Sequence, residues 1–246
     1  MRFLSIAKLF EKVAAAALLM AVPCIAQTEQ GSTAARLVTW QPKPGQESAL
    51  EEGYKRHLEW HRKNGDTWSW YGWNIISGER DGLFVDGTFF HSWADLDNPV
   101  SPAADGADNA ANVYPHGDVK SVAAYDTIPA LMHMDRAGLQ APLMTFYSFA
   151  IRTGRAEEFE AAMAETMAKL TPATRCVLFR PVTGTSEYLL LIPSNKASEL
   201  GQQASTAQAL FANVSRSLKG NVVTSLRIET GRFRRDMSYL PGESPK

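Results

Sequence analysis

The feature that most constrains the fold of this chain is an internal repeat, because the same order of predicted elements occurs twice. Each copy predicts an extended segment, a helix and two strands. In the first copy these lie at residues 37–41, 46–63, 68–76 and 83–91. In the second copy they lie at residues 143–151, 155–170, 175–182 and 188–192. Aligning Gly45 with Gly154, which precede the two helices, pairs the helices without a gap.

The ends of the two halves also correspond. Residues 126–135 align with residues 227–236, which gives each half a last strand. In the second half a helix is predicted at 196–218, where apolar residues recur at helical spacing. Each half is therefore predicted to be β-α-β-β-α-β, the ferredoxin-like order. In the first half, the place of this helix is taken by residues 98–118. They are rich in Pro, Gly, Asp, Asn and Ala and predict a long loop with at most short helical pieces.

This element order, with the paired landmarks Gly45/Gly154 and Asp135/Asp236, resembles the dimeric α+β barrel superfamily, the antibiotic-monooxygenase-like proteins among others. The resemblance implies an α+β fold in which two tandem ferredoxin-like units form a pseudo-dimeric barrel. We expect unit 1 at 35–138 and unit 2 at 139–240. Members of the superfamily include monooxygenases, haem-degrading enzymes, chlorite-dismutase-like haem proteins and stress-response proteins. The resemblance therefore implies a fold without choosing a function or a cofactor.

The N-terminus predicts export. Positive charges at Arg2, Lys8 and Lys12 precede an apolar run at 13–22, and cleavage fits best after Ala26, as in a bacterial-type signal peptide. The run is half of the roughly 20 residues that a transmembrane helix needs, so we expect no stable membrane anchor. The mature chain would be periplasmic or secreted, with a flexible start at 27–34 and a tail at 241–246. Its one remaining thiol, Cys176, lies in an apolar strand-like run and is expected to be buried.

The two halves differ in composition, and this contrast points to the first half as the location of any site. All tryptophans and all histidines of the chain lie there: Trp40, Trp60, Trp68, Trp70, Trp73 and Trp93, and His57, His61, His91, His116 and His133. The formal net charge of −1 and the lack of a basic groove argue against nucleic acid as a partner.

The helix at 46–63 carries two histidines in its apolar stripe. At about 100° per residue, Leu50, Tyr54, His57 and His61 fall within an arc of roughly 60°. The equivalent residues of the second half form an ordinary core face: Phe159, Met163, Thr166 and Leu170. In the strand predicted at 68–76, Trp68 and Trp70 share one face, and Tyr71 and Trp73 share the other. We therefore take as ligand-pocket candidates Tyr54, His57, His61, Trp70 and His91.

Several chemistries are consistent with these residues. His57 and His61 are four residues apart and can bind one metal ion, with His91 or His133 as a third ligand. One histidine could instead be an axial haem ligand, or a general base beside a bound aromatic substrate. The two rings could also be hydrogen-bonded core residues.

The leading prediction is an exported protein that binds a small apolar or aromatic ligand in a cavity of unit 1, with oxidative chemistry left open. The alternatives are a non-catalytic envelope interaction or structural protein, and a haem- or metal-binding protein that uses the histidines of unit 1. The sequence leaves open whether two chains pair as a homo-oligomer.

Overall fold

The computed structural model describes residues 33–171, 174–218 and 220–242. Within them the chain forms eight strands and four α-helices. The first half contains β1 (Ala34–Pro42), α1 (Glu47–Lys63), β2 (Tyr71–Ser77), β3 (Phe84–His91), α2 (Pro102–Asn112) and β4 (Gly117–Met132). The second half contains β5 (Leu143–Ile151), α3 (Ala156–Met167), β6 (Val177–Thr183), β7 (Glu187–Ser194), α4 (Leu200–Ser217) and β8 (Val223–Phe233). The predicted α+β class with two β-α-β-β-α-β units is confirmed.

The strands close into one barrel in the order β1-β3-β2-β8-β5-β7-β6-β4. The last strand of each half pairs with a strand of the other half: β8 lies antiparallel to β2 and β4 lies antiparallel to β6. The halves are thereby joined by backbone hydrogen bonds on both sides, which is the pseudo-dimeric barrel that the resemblance to the superfamily implied. Gly45 and Gly154 both adopt positive φ, 73° and 81°, in the turn before the first helix of each half. This conformation favours glycine and explains why it stands at both positions.

The barrel interior is filled by side chains rather than open. Trp73 is fully buried there, with its ring centroid 5.8 Å from that of Phe146 and 6.1 Å from that of Phe89. Tyr71 belongs to the same cluster, whereas Trp70 packs with the cluster between the barrel and α1. The predicted alternation of this segment is therefore observed. One set of aromatic residues faces the barrel interior and the other faces the helices.

The helices lie outside the barrel. In the second half, α3 and α4 cover the sheet with an apolar cluster that includes Cys176. This thiol is 2% exposed, and burial raises its pKa to about 12. The expectation of a buried, unreactive cysteine is met. Among the residues described, no helix has the length and apolar character needed to cross a membrane.

Three sequence predictions need correction or fall outside these residues. The loop predicted at 98–118 is wrong, because it contains the eleven-residue helix α2. Its alanines have a high helix propensity, which offsets the low helix propensity of Gly106. Pro102 lies in the first turn, where proline is tolerated. Trp68 and Trp70 precede β2 instead of belonging to it, although Trp70 forms an isolated bridge to Tyr239. The signal peptide at 1–26 lies outside the described residues.

Candidate functional site

Helix α1 places three of the predicted site residues against the sheet. Tyr54, His57 and His61 are 3%, 5% and 4% exposed, so both imidazoles are held inside the protein, as their position in the apolar stripe predicted. Tyr54 packs edge-on against Phe84 of β3, with ring centroids 4.7 Å apart. The two histidines lie farther along α1, where they meet α2 instead of the sheet.

Helix α2 presents a polar face to these histidines. Its half-buried residues are Asp105, Asp108, Asn109 and Asn112, and its remaining residues are exposed. Their spacing of i, i+3, i+4 and i+7 is the spacing of one helix face. The sequence pattern alone does not identify these residues, because the composition of 98–118 predicts a loop. The same spacing, read on the alanine-rich background, is the signal that could have found them.

Three atoms from the two helices converge on one point. The Nε2 atoms of His57 and His61 are 3.1 Å apart. Asp105 Oδ1 lies 3.3 Å from His57 Nε2 and 3.7 Å from His61 Nε2. A circle through three atoms at these separations has a radius of about 2.0 Å, which matches the metal–ligand distances of roughly 2.0–2.2 Å for imidazole and carboxylate. Among the described residues, these three form the one group close enough to hold a metal ion.

The opposite nitrogen of each imidazole faces a carboxylate. His57 Nδ1 lies 2.9 Å from Asp108 Oδ2, within hydrogen-bond distance. His61 Nδ1 lies 2.8 Å from Asp66 Oδ2, at an angle that makes the contact electrostatic rather than an aligned hydrogen bond. A carboxylate on the far nitrogen is the usual outer partner of a metal-binding histidine, because it fixes the ring and the tautomer.

These partners also determine which nitrogens carry protons. A carboxylate beside Nδ1 favours the proton on Nδ1, so each Nε2 presents a lone pair. Two lone pairs 3.1 Å apart repel each other unless a proton or a metal ion lies between them. The Asn109 amide, 3.1 Å from His57 Nε2, supplies one weak donor. The pair is thus arranged to receive a cation.

The electrostatics of the site favour an ionised Asp66 and a neutral His57 at pH 7. Burial raises the pKa of Asp66, but the close contact with His61 and the hydrogen bonds from the Trp68 N–H and the Trp70 indole outweigh it, and the pKa lies below its ordinary value. Burial lowers the pKa of His57, Asp108 partly offsets this, and His61 lowers it further. A neutral imidazole is the state in which His57 binds a metal ion, and the ionised Asp66 behind His61 adds a negative charge that favours a bound cation.

Aromatic rings enclose the histidines. Trp60 stacks on His57 with an interplanar angle of 9° and centroids 6.1 Å apart. The ring centroid of Trp70 lies 5.2 Å from that of His61, and its indole donates a 2.9 Å hydrogen bond to Asp66 Oδ2. Tyr239, near the end of the described chain, donates to the Asp66 carbonyl at 2.7 Å. These contacts hold Asp66 in place and keep water from most of the imidazole surface.

The remaining predicted residues lie next to this centre rather than in it. Tyr54 hydrogen-bonds to the buried carboxylate of Asp86, on the sheet side of α1. Asp86 also accepts a 2.5 Å hydrogen bond from the Trp40 indole. Burial, together with Asp86, holds the pKa of Tyr54 well above its ordinary value. Asp86 was absent from the sequence prediction, since nothing in the pattern showed that this strand residue would be buried.

His91 is separated from the other two histidines by a pair of tryptophans. Trp68 packs on His91 with centroids 4.3 Å apart, and Trp70 lies between Trp68 and His61. His91 Nε2 is 2.5 Å from Thr88 Oγ1. Asp105 therefore stands where the sequence suggested His91 or His133 as a third metal ligand.

A haem does not fit the arrangement at these histidines. An axial ligand needs a free ring nitrogen that faces a flat open space. The Nε2 atoms of His57 and His61 instead face each other at 3.1 Å, and that of His91 is engaged by Thr88 beneath the Trp68 ring.

The surface clefts of the second half are far from this chemistry. One, of about 290 Å³, is lined by residues around the end of α3 and the start of α4, including Arg175, Glu199 and Gln203. A second cleft is lined by residues at the ends of the same two helices, including Lys169 and Arg216. We therefore attach the candidate chemistry to the two histidines rather than to the clefts.

Comparison with solved structures identifies the fold. A monooxygenase-type protein from Lactobacillus acidophilus superposes with a TM-score of 0.57 at 11% identity, over 85% of this chain and 97% of that one. An anthrone oxidase-like protein gives 0.56 at 13% identity, over 87% and 95%. This is a dimeric α+β barrel fold.

A mutant chlorite dismutase from Candidatus Nitrospira defluvii in complex with cyanide shares this fold. It gives a TM-score of 0.54 at 6% identity, over 85% of this chain and 93% of that one. Neither a protein-family model nor a curated protein matches the sequence. At these identities the structural likeness establishes the fold alone, and the function has to be argued from the residues.

Proposed function

We propose that this chain is an exported protein that binds one divalent transition-metal ion through His57, His61 and Asp105. The observation that carries the proposal is the convergence of two Nε2 atoms and one carboxylate oxygen on a point about 2.0 Å from each. The carboxylates of Asp108 and Asp66 behind the two rings support it, because they hold the imidazoles in the metal-binding tautomer.

Three protein ligands leave coordination positions for a substrate, as in catalytic metal sites. Asp105 is the ligand nearest solvent, with 35% of its side chain exposed, whereas the two histidines are buried. A small ligand would therefore reach the metal from the Asp105 side, between α1 and α2. The half-buried indole of Trp60, stacked on His57, favours a ligand with an aromatic ring.

Two imidazoles and one carboxylate with open positions form the ligand set of non-haem Fe(II) oxygenases, and they also suit Zn²⁺. The names of the monooxygenase-type and anthrone oxidase-like neighbours support testing oxidation of an aromatic substrate by O₂. In that role the metal would supply the site where O₂ binds. The protein would contribute the three metal ligands, the carboxylates of Asp66 and Asp108 behind the imidazoles, and the aromatic rings that exclude water.

Metal titration tests the binding proposal. Protein lacking residues 1–26 is stripped with chelator and titrated with Zn²⁺, Mn²⁺ and, without oxygen, Fe²⁺ by calorimetry, and the bound metal is counted by mass spectrometry. We expect one ion per chain, and loss of binding in His61→Ala and Asp105→Asn variants. His133→Ala is the matched control, because it removes a histidine that lies outside the cluster.

Equal binding by all four proteins, or no binding by wild type, would show that the two imidazoles are hydrogen-bonded core residues. Oxygen uptake with anthrone as the probe tests the oxidative role separately. Fe²⁺-loaded wild type should consume one O₂ for each anthraquinone formed, with water as the other product, and the His61→Ala variant should not. For the export proposal, we expect periplasmic or secreted protein to have the mass of a chain that begins at Gln27.

A further inference from the structure

Helix α2 lacks the apolar attachment that usually holds a surface helix. None of its residues is buried, and the four that are half-buried are the two aspartates and two asparagines of its inner face. A helix on a globular protein ordinarily turns a broad apolar stripe to the core. Here that stripe is replaced by side chains that face the proposed metal site.

The contacts of α2 with the rest of the protein are concentrated on α1. Asp105, Asp108 and Asn109 reach His57, and Asn112 Oδ1 accepts a 3.0 Å hydrogen bond from Arg56 Nε. The chain is anchored by apolar burial just after the helix, at Val113, which is fully buried. At the other end, Ser101 has a φ of 39°, a conformation that non-glycine residues seldom adopt. One end of α2 is thus fixed in the core, whereas the other end follows a strained residue.

The two helices also approach closely at a glycine. A Cβ atom on Gly53 of α1 would lie 1.9 Å from the Asn112 carbonyl oxygen. Only glycine permits this crossing, since the contact is with backbone that cannot turn aside. The close approach brings Asp105 within reach of both histidines.

We infer that α2 is a lid over the metal site, and that a bound metal ion holds the lid closed. The inference rests on the proposed metal site. Two of the three ligands belong to α1 and the third, Asp105, belongs to α2, so the metal ion ties the helices together. Without a cation, the docked helix places the carboxylates of Asp105 and Asp108 against the buried histidines. Few apolar contacts of α2 then offset the cost of removing these carboxylates from water. A ligand would enter when α2 moves away, and it would be enclosed when α2 returns.

Hydrogen exchange tests the lid in the whole mature protein. Backbone exchange of peptides covering 102–112 is measured by mass spectrometry in chelator and with Zn²⁺. If the metal binds only the closed form, exchange slows by a factor of 1 plus the ratio of free metal to Kd. We expect about tenfold slower exchange at a free Zn²⁺ concentration about ten times Kd, and no change in peptides of α4.

A Gly53→Ala variant perturbs the lid without altering a metal ligand. It should speed exchange in 102–112 and weaken Zn²⁺ binding, because the added methyl group pushes α2 away. Gly201→Ala is the matched control, since a Cβ atom there has no atom within 4 Å. Far-ultraviolet circular dichroism of the Gly53→Ala protein in chelator, compared with that of wild type, shows whether the variant is folded.

The outcomes separate the two proposals. Stoichiometric Zn²⁺ binding with unchanged exchange in 102–112 would overturn the lid and leave the metal site standing. Exchange in chelator as slow as in the core strands would also overturn the lid, because the helix would then be held without metal. Failure of wild type to bind any of the metals would overturn the metal site, and the lid with it.

Discussion

Asp86 offers a quantitative test of how this structure treats a buried charge. Burial raises the pKa of this carboxyl from 3.8 to about 6, and the Trp40 indole, Arg36 and Tyr54 offset only part of the effect. The folded protein therefore holds a proton on Asp86 between pH 4 and 6 that the unfolded chain releases. For a raised pKa, the contribution to stability is complete below the unfolded value and is lost as the pH rises through the folded value.

The magnitude follows from the two pKa values. A change from 3.8 to about 6 corresponds to about 3 kcal/mol, because each pKa unit is worth about 1.36 kcal/mol. An Asp86→Asn variant carries no charge at any pH and so escapes this loss. We expect the free energy of unfolding of the variant, relative to wild type, to rise by about 2.5 kcal/mol between pH 4 and pH 8, because the rest of the change lies below pH 4, and most of the rise falls between pH 4 and 7.

Urea unfolding followed by circular dichroism at pH 4, 5, 6, 7 and 8, with chelator present, measures this difference. Only the pH dependence of the difference in unfolding free energy is interpreted. Any pH-independent cost of losing the hydrogen bonds to Trp40 and Tyr54 in the variant therefore cancels. An Asp97→Asn variant is the control, because Asp97 is exposed and should show no such trend. A flat difference across this range, or one that falls as the pH rises, would refute the reasoning. The charge would then be stabilised by its neighbours rather than penalised by burial.

Other expectations follow from the same structure. Asp108→Asn should weaken metal binding by about 10–100-fold in calorimetry, as loss of an outer carboxylate usually does, and unchanged affinity would show that His57 needs no such support. Metal affinity of wild type should fall at acidic pH, because protons then compete with the metal ion for His57, and the lowered pKa of His57 places this fall below the ordinary histidine value; affinity that is unchanged from pH 4 to 8 would argue against a histidine ligand. Trp73→Ala should cost about 3–5 kcal/mol in urea unfolding because the ring fills the barrel interior, and a loss below about 1 kcal/mol would contradict that packing. Cys176 should resist thiol reagents in folded protein and react after unfolding, and reaction at equal rates would show that the strand is open.

Much of the fold can be predicted from the sequence, because helical and strand periodicity and the residue preferences of turns are local properties. The spacing of Leu50, Tyr54, His57 and His61 defines one face of α1 before any tertiary contact is known. Gly45 and Gly154 mark equivalent turns because each requires positive φ. Closure of the barrel was implied by the resemblance to the dimeric α+β barrel superfamily, which the repeated element order carries.

Only the part of the candidate site on α1 can be predicted from the sequence, for a physical reason. His57 and His61 stand out because they interrupt an apolar stripe, which is a property of one helix. Asp105 and Asp108 do not stand out, because a run of Asp, Asn, Gly and Ala is compatible with either a loop or a helix. Docking of α2 on α1 decides between the two, through the close crossing at Gly53.

The fold class, the duplicated element order and the half that carries the histidines can all be predicted from the sequence, since they depend on the order and spacing of residues along the chain. The tertiary structure alone decided that Asp105 completes the cluster and that Asp66 and Asp108 lie behind the rings. It also decided that His91 lies beyond Trp68, away from the other two histidines. Distances between residues on different elements depend on how those elements pack, and no local pattern encodes them.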